Sequence, residues 1–183
     1  MNYEEWLKSV PDEIRGDSLW KTEAYCLGLF VADVGWHDLT KLMQDKRTLG
    51  LADQLYRSLG SISVKLAEGY SRGTGKDRAR FYEYALGSVR ECRDWYYKGR
   101  HILSEPVTRH RLRLLTQIIR LLITMVPQQR GRVLHEQGIP YQTAQGNAHP
   151  DITINRGVLD NLLQDVPLPL ITFHSSRFTL SMF

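Results

Sequence analysis

Three patterns in this 183-residue chain predict an all-α protein built on four long helices. Apolar residues recur at alternating spacings of four and three, which lays a seam along one side of a helix. Between residues 112 and 126 they form two stripes at once. Glycine, proline and capping residues punctuate these runs where helices are expected to begin and end.

Residues 1–17 read as an N-terminal arm. Tyr3, Trp6, Leu7, Val10 and Ile14 suffice for a short amphipathic turn or helix, interrupted by Pro11 and Gly16, and the arm is taken to lie outside the core. The first long helix is expected over about 18–44, capped by Asp17 or Ser18, with Trp20, Ala24, Leu27, Val31 and Val34 in its seam and Leu39, Leu42 and Met43 extending it. Gly28 and Gly35 mark tight helix contacts or a bend.

The second helix, about 50–68, carries Leu51, Leu55, Leu59, Ile62 and Leu66, and is expected to stop at Gly69 in a left-handed conformation. Thr74 caps the third, with Asp77 three residues on, and that helix runs to about Leu103. Its seam reads Phe81, Ala85, Ser88, Cys92, Trp95, Gly99 and Ile102, matching the second helix as an antiparallel neighbour. Ser104-Glu105-Pro106 opens the fourth helix.

In the fourth helix one stripe is Leu112, Leu115, Ile119, Leu122 and Val126, and the other is Leu114, Ile118, Leu121 and Met125. A helix so apolar is buried on two sides. One side faces the core; the other is expected to face a second subunit, unless an extra element such as the tail covers it. The pattern ends beyond Pro127, so the helical domain is placed at 18–130 and a linker with an irregular C-terminal extension at 131–183. Within the extension, 137–150 reads as linker, Asp151 to Asn155 as a β-like run, Val158 to Leu163 as a helical turn, and Leu170 to Phe183 as a segment that docks on a partner, another subunit or its own bundle.

The net charge of +4 is unevenly spread. Residues 1–45 hold 4 basic and 9 acidic side chains, residues 46–133 hold 18 and 7, and residues 134–183 hold 2 and 4. A middle region this basic attracts polyanions over a Debye length of about 8 Å at physiological salt, and nucleic acid is the first partner to consider. A solvated face that keeps the chain soluble or meets acidic protein patches is the plainer reading. Cys26 and Cys92 lack metal-ligand spacing and read as buried thiols in a reducing compartment, and no signal peptide opens the chain, so a cytoplasmic location is expected. Leu112 to Val126 is too short for a membrane span and carries Arg113, Gln117 and Arg120.

Few residues point to catalysis. The metal-binding Glu-x-x-His pairs of di-metal bundles, His-Glu-x-x-His, Cys-x-x-Cys and a Walker-type loop are all missing, and Gly73-Thr74-Gly75-Lys76 lacks the first glycine and the preceding strand of a phosphate loop. No cofactor or metal is expected. Ser61 and Ser88 read as helix-packing serines, and Glu68 and Glu91 either form an acid/base pair or, more simply, accept hydrogen bonds. His101 and His110 would add donors to a basic patch. For nucleic acid the candidates are Lys65, Arg72, Lys76, Arg78 and Arg80 at one end of the third helix and Lys98, Arg100, Arg109, Arg111 and Arg113 at the other. Tyr70, Tyr96 and Tyr97 are the aromatic neighbours that could stack on bases.

Gln54-Leu55, Ser61-Ile62, Leu66-Ala67-Glu68-Gly69-Tyr70-Ser71-Arg72, Phe81 and Ala85-Leu86-Gly87-Ser88-Val89-Arg90-Glu91 together resemble the signature of the proteins encoded in intervening sequences of bacterial 23S ribosomal RNA genes, over about residues 18–127. That group is related to the accessory variability proteins of diversity-generating retroelements. The resemblance implies an antiparallel, up-and-down four-helix bundle that assembles as a ring-like homopentamer, without catalysis, and that binds nucleic acid or a reverse transcriptase. Lys65 stands where the family commonly has Asn and Ser63 where it has proline, so no role of that Asn is carried over. The expectation is therefore a non-enzymatic, homo-oligomeric accessory protein that holds RNA or DNA backbone. The alternative is a scaffold that docks on a nucleoprotein enzyme through its basic face and tail.

Overall fold

The computed structural model describes residues 2–130 and 155–171. Their regular structure is helical: α1 (Tyr3–Ser9), α2 (Asp12–Arg15), α3 (Glu23–Leu42), α4 (Leu49–Tyr70), α5 (Gly75–Gly99), α6 (Glu105–Arg130) and α7 (Arg156–Gln164). The linker expected at 137–150, residues 151–154 of the β-like run and residues 172–183 of the tail lie outside the described residues.

The four long helices carry the core. Close approaches set their order and direction: a Cβ on Gly28 would meet Ile62 and Ser63, and one on Gly35 would meet Leu59, so α3 and α4 run antiparallel. Gly99 faces Leu51 and Leu42, while Gly69 faces Phe81 and Tyr82, which sets α5 antiparallel to α4. A Cβ on Gly75 would stand 2.3 Å from the Gln129 carbonyl oxygen, so the start of α5 is pinned to the end of α6. Leu27, Phe30, Val34, Leu55, Leu59, Ile62, Leu66, Val89, Leu114, Leu115 and Ile118 fill the interior.

Several element boundaries differ from the expectation. The first helix breaks at Thr22: Ser18–Lys21 is a separate 3-10 turn capped by Asp17, whose carboxylate accepts from the Leu19 N–H at 2.8 Å. The break turns Trp20 onto Trp6, with ring centroids 6.1 Å apart. Gly69 is not a left-handed stop. α4 runs on to Tyr70 and ends at Ser71 in the right-handed region, and the glycine is there because α5 passes too close for a side chain, with the Phe81 Cβ 2.9 Å from where a Cβ would sit. Thr74 caps α5 as expected, its hydroxyl accepting from the Asp77 N–H at 3.1 Å.

The buried line of α5 is Ala79, Tyr82, Ala85, Val89, Cys92, Tyr96 and Gly99. Phe81, Ser88 and Trp95, expected in the seam, stand on its flank, and Ile102 lies beyond the helix end. Ala85, Cys92 and Gly99 lie in the seam as expected, and Tyr96 reaches into the core, where its hydroxyl donates to Asp38 at 2.8 Å. α6 continues through Pro127, which is buried, to Arg130.

The arm and the extension are part of the packing. α3 and α6 touch along less of their length than the other neighbouring pairs, and α1 and α7 lie along this seam. Trp6 is almost fully buried, packs on Phe30 at 5.3 Å and donates through its indole N–H to Asp33 at 2.5 Å. The arm is thus a core element. On the other side Leu159 and Leu162 of α7 are buried, and Arg156 pairs with Glu23. Burying two leucines gains about 3–6 kcal/mol before ordering costs. α7 packs on α6, one side of which was expected to meet another subunit or the tail, and the extension is helical over nine residues there.

Candidate nucleic-acid interface

The ten basic candidates separate into different environments. Arg111 is fully buried: its Nε donates to Asp38 at 2.7 Å, its Nη2 to Asp38 at 3.1 Å and to the Pro167 carbonyl at 2.9 Å. It is therefore removed from the interface. Four basic or polar groups meet here because α3 supplies Asp38, α5 Tyr96, and α6 both His110 and Arg111. Burial pushes the Asp38 carboxyl above its usual range, against the opposing pull of Arg111 and Tyr96. His110 is buried too, with Nε2 2.7 Å from the Leu162 carbonyl oxygen and Nδ1 2.8 Å from an Arg111 nitrogen. With Nε2 donating and Nδ1 accepting, the ring fits this site only when neutral, and burial pushes its pKa down to about 4. It adds no donor to a surface patch. Tyr96, one of the three expected stacking residues, is likewise internal.

At the α4–α5 corner the candidates do come together. Arg72, Asp77, Arg80, Phe81 and Tyr84 line an open cleft. The Arg72 guanidinium lies over the Phe81 ring at 4.3 Å, Lys65 Nζ stands 5.9 Å from the same ring, and Arg80 sits over Tyr84 at 5.6 Å while its Nε donates to the Tyr84 hydroxyl at 2.7 Å. Phe81 and Tyr84 meet edge to face at 5.8 Å. The helical spacing of Arg80 and Tyr84, i and i+4, is the sequence signal that could have found the pair. Lys65 is also paired with Glu68 at 3.0 Å. Arg78 turns inward to the Arg72 carbonyl and Gln129, with its guanidinium 5.9 Å from the Tyr70 ring. Lys76 is exposed and outside the cleft lining.

The second group is more dispersed. Lys98 pairs with Asp94 at 2.5 Å and lies over the Trp95 ring at 4.4 Å. Arg100 covers Tyr97 at 4.0 Å and donates to its carbonyl oxygen. Arg109 pairs with Glu105, and Arg113 is exposed. Exposed ion pairs such as these stabilise the fold little and dilute the local positive charge.

The other chemical candidates have structural occupations. Glu68 serves Lys65, and Glu91 accepts from the Trp95 indole N–H at 3.1 Å, so the two carboxylates do not form a pair. Ser88 donates to Ser61 at 3.0 Å between α4 and α5. Cys26 and Cys92 are free and buried, and burial pushes their thiols up to about 11 and about 12. Among the described residues no group of three or more His, Cys, Asp or Glu could hold a metal ion, and no helix is long and apolar enough to cross a membrane.

No curated protein and no solved structure matches this sequence. One family does, with a model described as 23S rRNA-intervening sequence protein that matches residues 30–124, from within α3 to within α6. That stretch spans just over half of the chain and contains the α4–α5 corner with its arginines, and on that basis the protein belongs to the 23S rRNA-intervening sequence protein family.

Proposed function

We propose that this chain is a non-enzymatic, homo-oligomeric accessory protein that holds the backbone of RNA or DNA at the α4–α5 corner. The observation that carries this reading is the convergence of Arg72 and Arg80 in one open cleft beside Phe81 and Tyr84. Two guanidinium groups within a cleft suit phosphate oxygens, and adjacent rings suit a base. The family name ties its members to ribosomal RNA genes, which agrees with an RNA-related role. The proposed architecture is an antiparallel up-and-down bundle, closed along one seam by the arm and α7. A pentameric ring, kinship with the accessory variability proteins and a reverse transcriptase partner follow from the resemblance and are proposed with it. Buried thiols raised far above neutral pH and a neutral, internal His110 agree with a role outside catalysis.

Fluorescence anisotropy with labelled RNA and DNA across a salt series tests the reading. Each phosphate neutralised on a single strand contributes about −0.7 to the slope of log K against log salt. Arg72→Ala with Arg80→Ala is expected to weaken binding and flatten the slope by about 1.4. An unchanged slope removes the corner as the contact surface.

A scaffold role is the second reading, and it rests on an exposed aromatic pair. Trp36 and Tyr56 are 61% and 58% exposed and lie 6.4 Å apart, edge to face, across α3 and α4. Trp36→Ser with Tyr56→Ser is expected to abolish capture of a protein partner and leave nucleic-acid affinity intact. The tail is tested by deleting residues 172–183, which leaves α7 and the contacts of Pro167 in place.

A further inference from the structure

We propose that the nucleic acid taken by this protein is unpaired, and that its bases stack along the flank of α5 beside α4, at Tyr84 and Trp95. The proposal rests on the reading of the α4–α5 corner as a nucleic-acid site and adds the class of strand it accepts. Tyr84 and Trp95 are eleven positions apart, about three helical turns, so they project from one face of α5 with about 16 Å between them. That distance is close to five stacked steps of a single strand at about 3.4 Å each. Each ring is bracketed on its outer side by a cation on the same face: Arg80 lies over Tyr84 and Lys98 over Trp95. Tyr84 is 45% exposed, whereas Trp95 is half-buried against the core, with its indole held by a hydrogen bond to Glu91 and its remaining edge open to a base.

The charges argue for stacking over phosphate contact alone. Of the ten basic residues first considered, Arg111 is internal, Arg78 is turned inward, and Lys65, Lys98 and Arg109 each have a carboxylate partner. Glu91 lies between the two rings on the same face and repels a phosphate there, so a strand crossing α5 meets it with bases, keeping its phosphates toward the end that carries Arg72 and Arg80. A duplex, whose bases are already stacked on one another, has no use for these rings.

The test measures binding of the full-length protein to a mixed-sequence labelled 12-mer, as RNA and as DNA, each alone and annealed to its complement. Single strands are expected to bind tighter than duplexes. Each ring removed is expected to weaken single-strand binding about 5- to 100-fold, so Tyr84→Ala with Trp95→Ala is expected to weaken it at least about 30-fold. Duplex binding is expected to stay put, and Tyr84→Phe with Trp95→Phe to keep most of the single-strand affinity. Thermal unfolding of both variants verifies that they are folded. Equal affinity for single strands and duplexes, or an alanine variant that binds single strands as the unaltered protein does, overturns this proposal while leaving the corner site standing. Absence of any polynucleotide binding in the unaltered protein overturns both.

Discussion

Replacing Arg111 by alanine distinguishes an internal guanidinium from a surface one. In the folded chain this side chain neutralises Asp38, which is itself fully buried, and also bonds the Pro167 carbonyl and His110. Its loss leaves Asp38 with only the Tyr96 hydroxyl as partner, and breaking a buried pair from one side costs about 3–5 kcal/mol. For a chain of this size each kcal/mol moves the midpoint by about 2–4 °C, so Arg111→Ala is expected to lower Tm by about 6–20 °C. The assay is thermal and urea unfolding followed by far-UV circular dichroism, with RNA affinity measured at 10 °C, where the variant is still folded. Affinity is expected to remain unchanged. The double replacement Asp38→Leu with Arg111→Met removes both charges and is expected to recover most of the loss, because an apolar pair of similar volume avoids the desolvation that the ion pair carries. If Arg111→Ala unfolds within 1 kcal/mol of the unaltered protein and binds RNA more weakly, the buried network is wrong and the arginine faces outward.

Other outcomes follow from single contacts. The unfolded chain holds His110 near its ordinary pKa of about 6.5 and the folded chain near about 4, so the unfolded state binds more protons between those values. Stability is therefore full above about pH 6.5 and falls as pH drops toward 4, by at most about 3 kcal/mol, and in urea titrations His110→Asn is expected to flatten that part of the profile. Gly75→Ala places a Cβ 2.3 Å from the Gln129 carbonyl oxygen and is expected to destabilise by about 1–3 kcal/mol, whereas Gly87→Ala meets nothing within 4 Å and is expected to be neutral or to stabilise by up to about 1 kcal/mol. Cys26 and Cys92 are expected to resist a thiol reagent at pH 8 in the folded protein and to react once urea exposes them, because only the thiolate attacks.

The long helices were legible because their periodicity is a direct record of burial. Leu55, Leu59, Ile62 and Leu66 lie where the four-and-three spacing puts them, and Thr74 caps the helix that its spacing to Asp77 announces. In the α5 seam Ala85, Cys92 and Gly99 lie where the spacing puts them, but at 81, 88 and 95 the buried residue is the next one along, and at two of these Phe81 and Trp95 outrank Tyr82 and Tyr96 on apolarity alone. What decides the matter is Asp38, far away in sequence, which pulls a tyrosine hydroxyl into the core. The same residue hid the fate of Arg111, since a run of arginines at 109, 111 and 113 looks uniform until the helix rotation turns 111 inward and leaves its neighbours exposed. At the corner, the spacing of Arg72, Lys76 and Arg80 lets all three converge, whereas the cleft brings together Arg72 and Arg80 without Lys76 and adds aromatic partners that the spacing alone does not announce. Phe81 had been spent on the core, and Tyr84 showed no signal except its spacing from Arg80.

Two apolar stripes on one helix demand two covers, and the sequence cannot say whose. Here part of the cover of α6 is local: Leu159 and Leu162 dock on the bundle, and His110 and Arg111 reach from α6 to the Leu162 and Pro167 carbonyls. Those two hydrogen bonds read main chain, so they fix where the segment lies more than which side chains it bears. Because Arg111 is also the partner of Asp38, undocking the segment strips a ligand from a charge that stays buried, which ties the cover to the integrity of the α3–α6 seam. A second copy approaching this seam would have to displace both the segment and the Trp6 arm. The α3–α4 surface with Trp36 and Tyr56, by contrast, stands open and needs no such displacement.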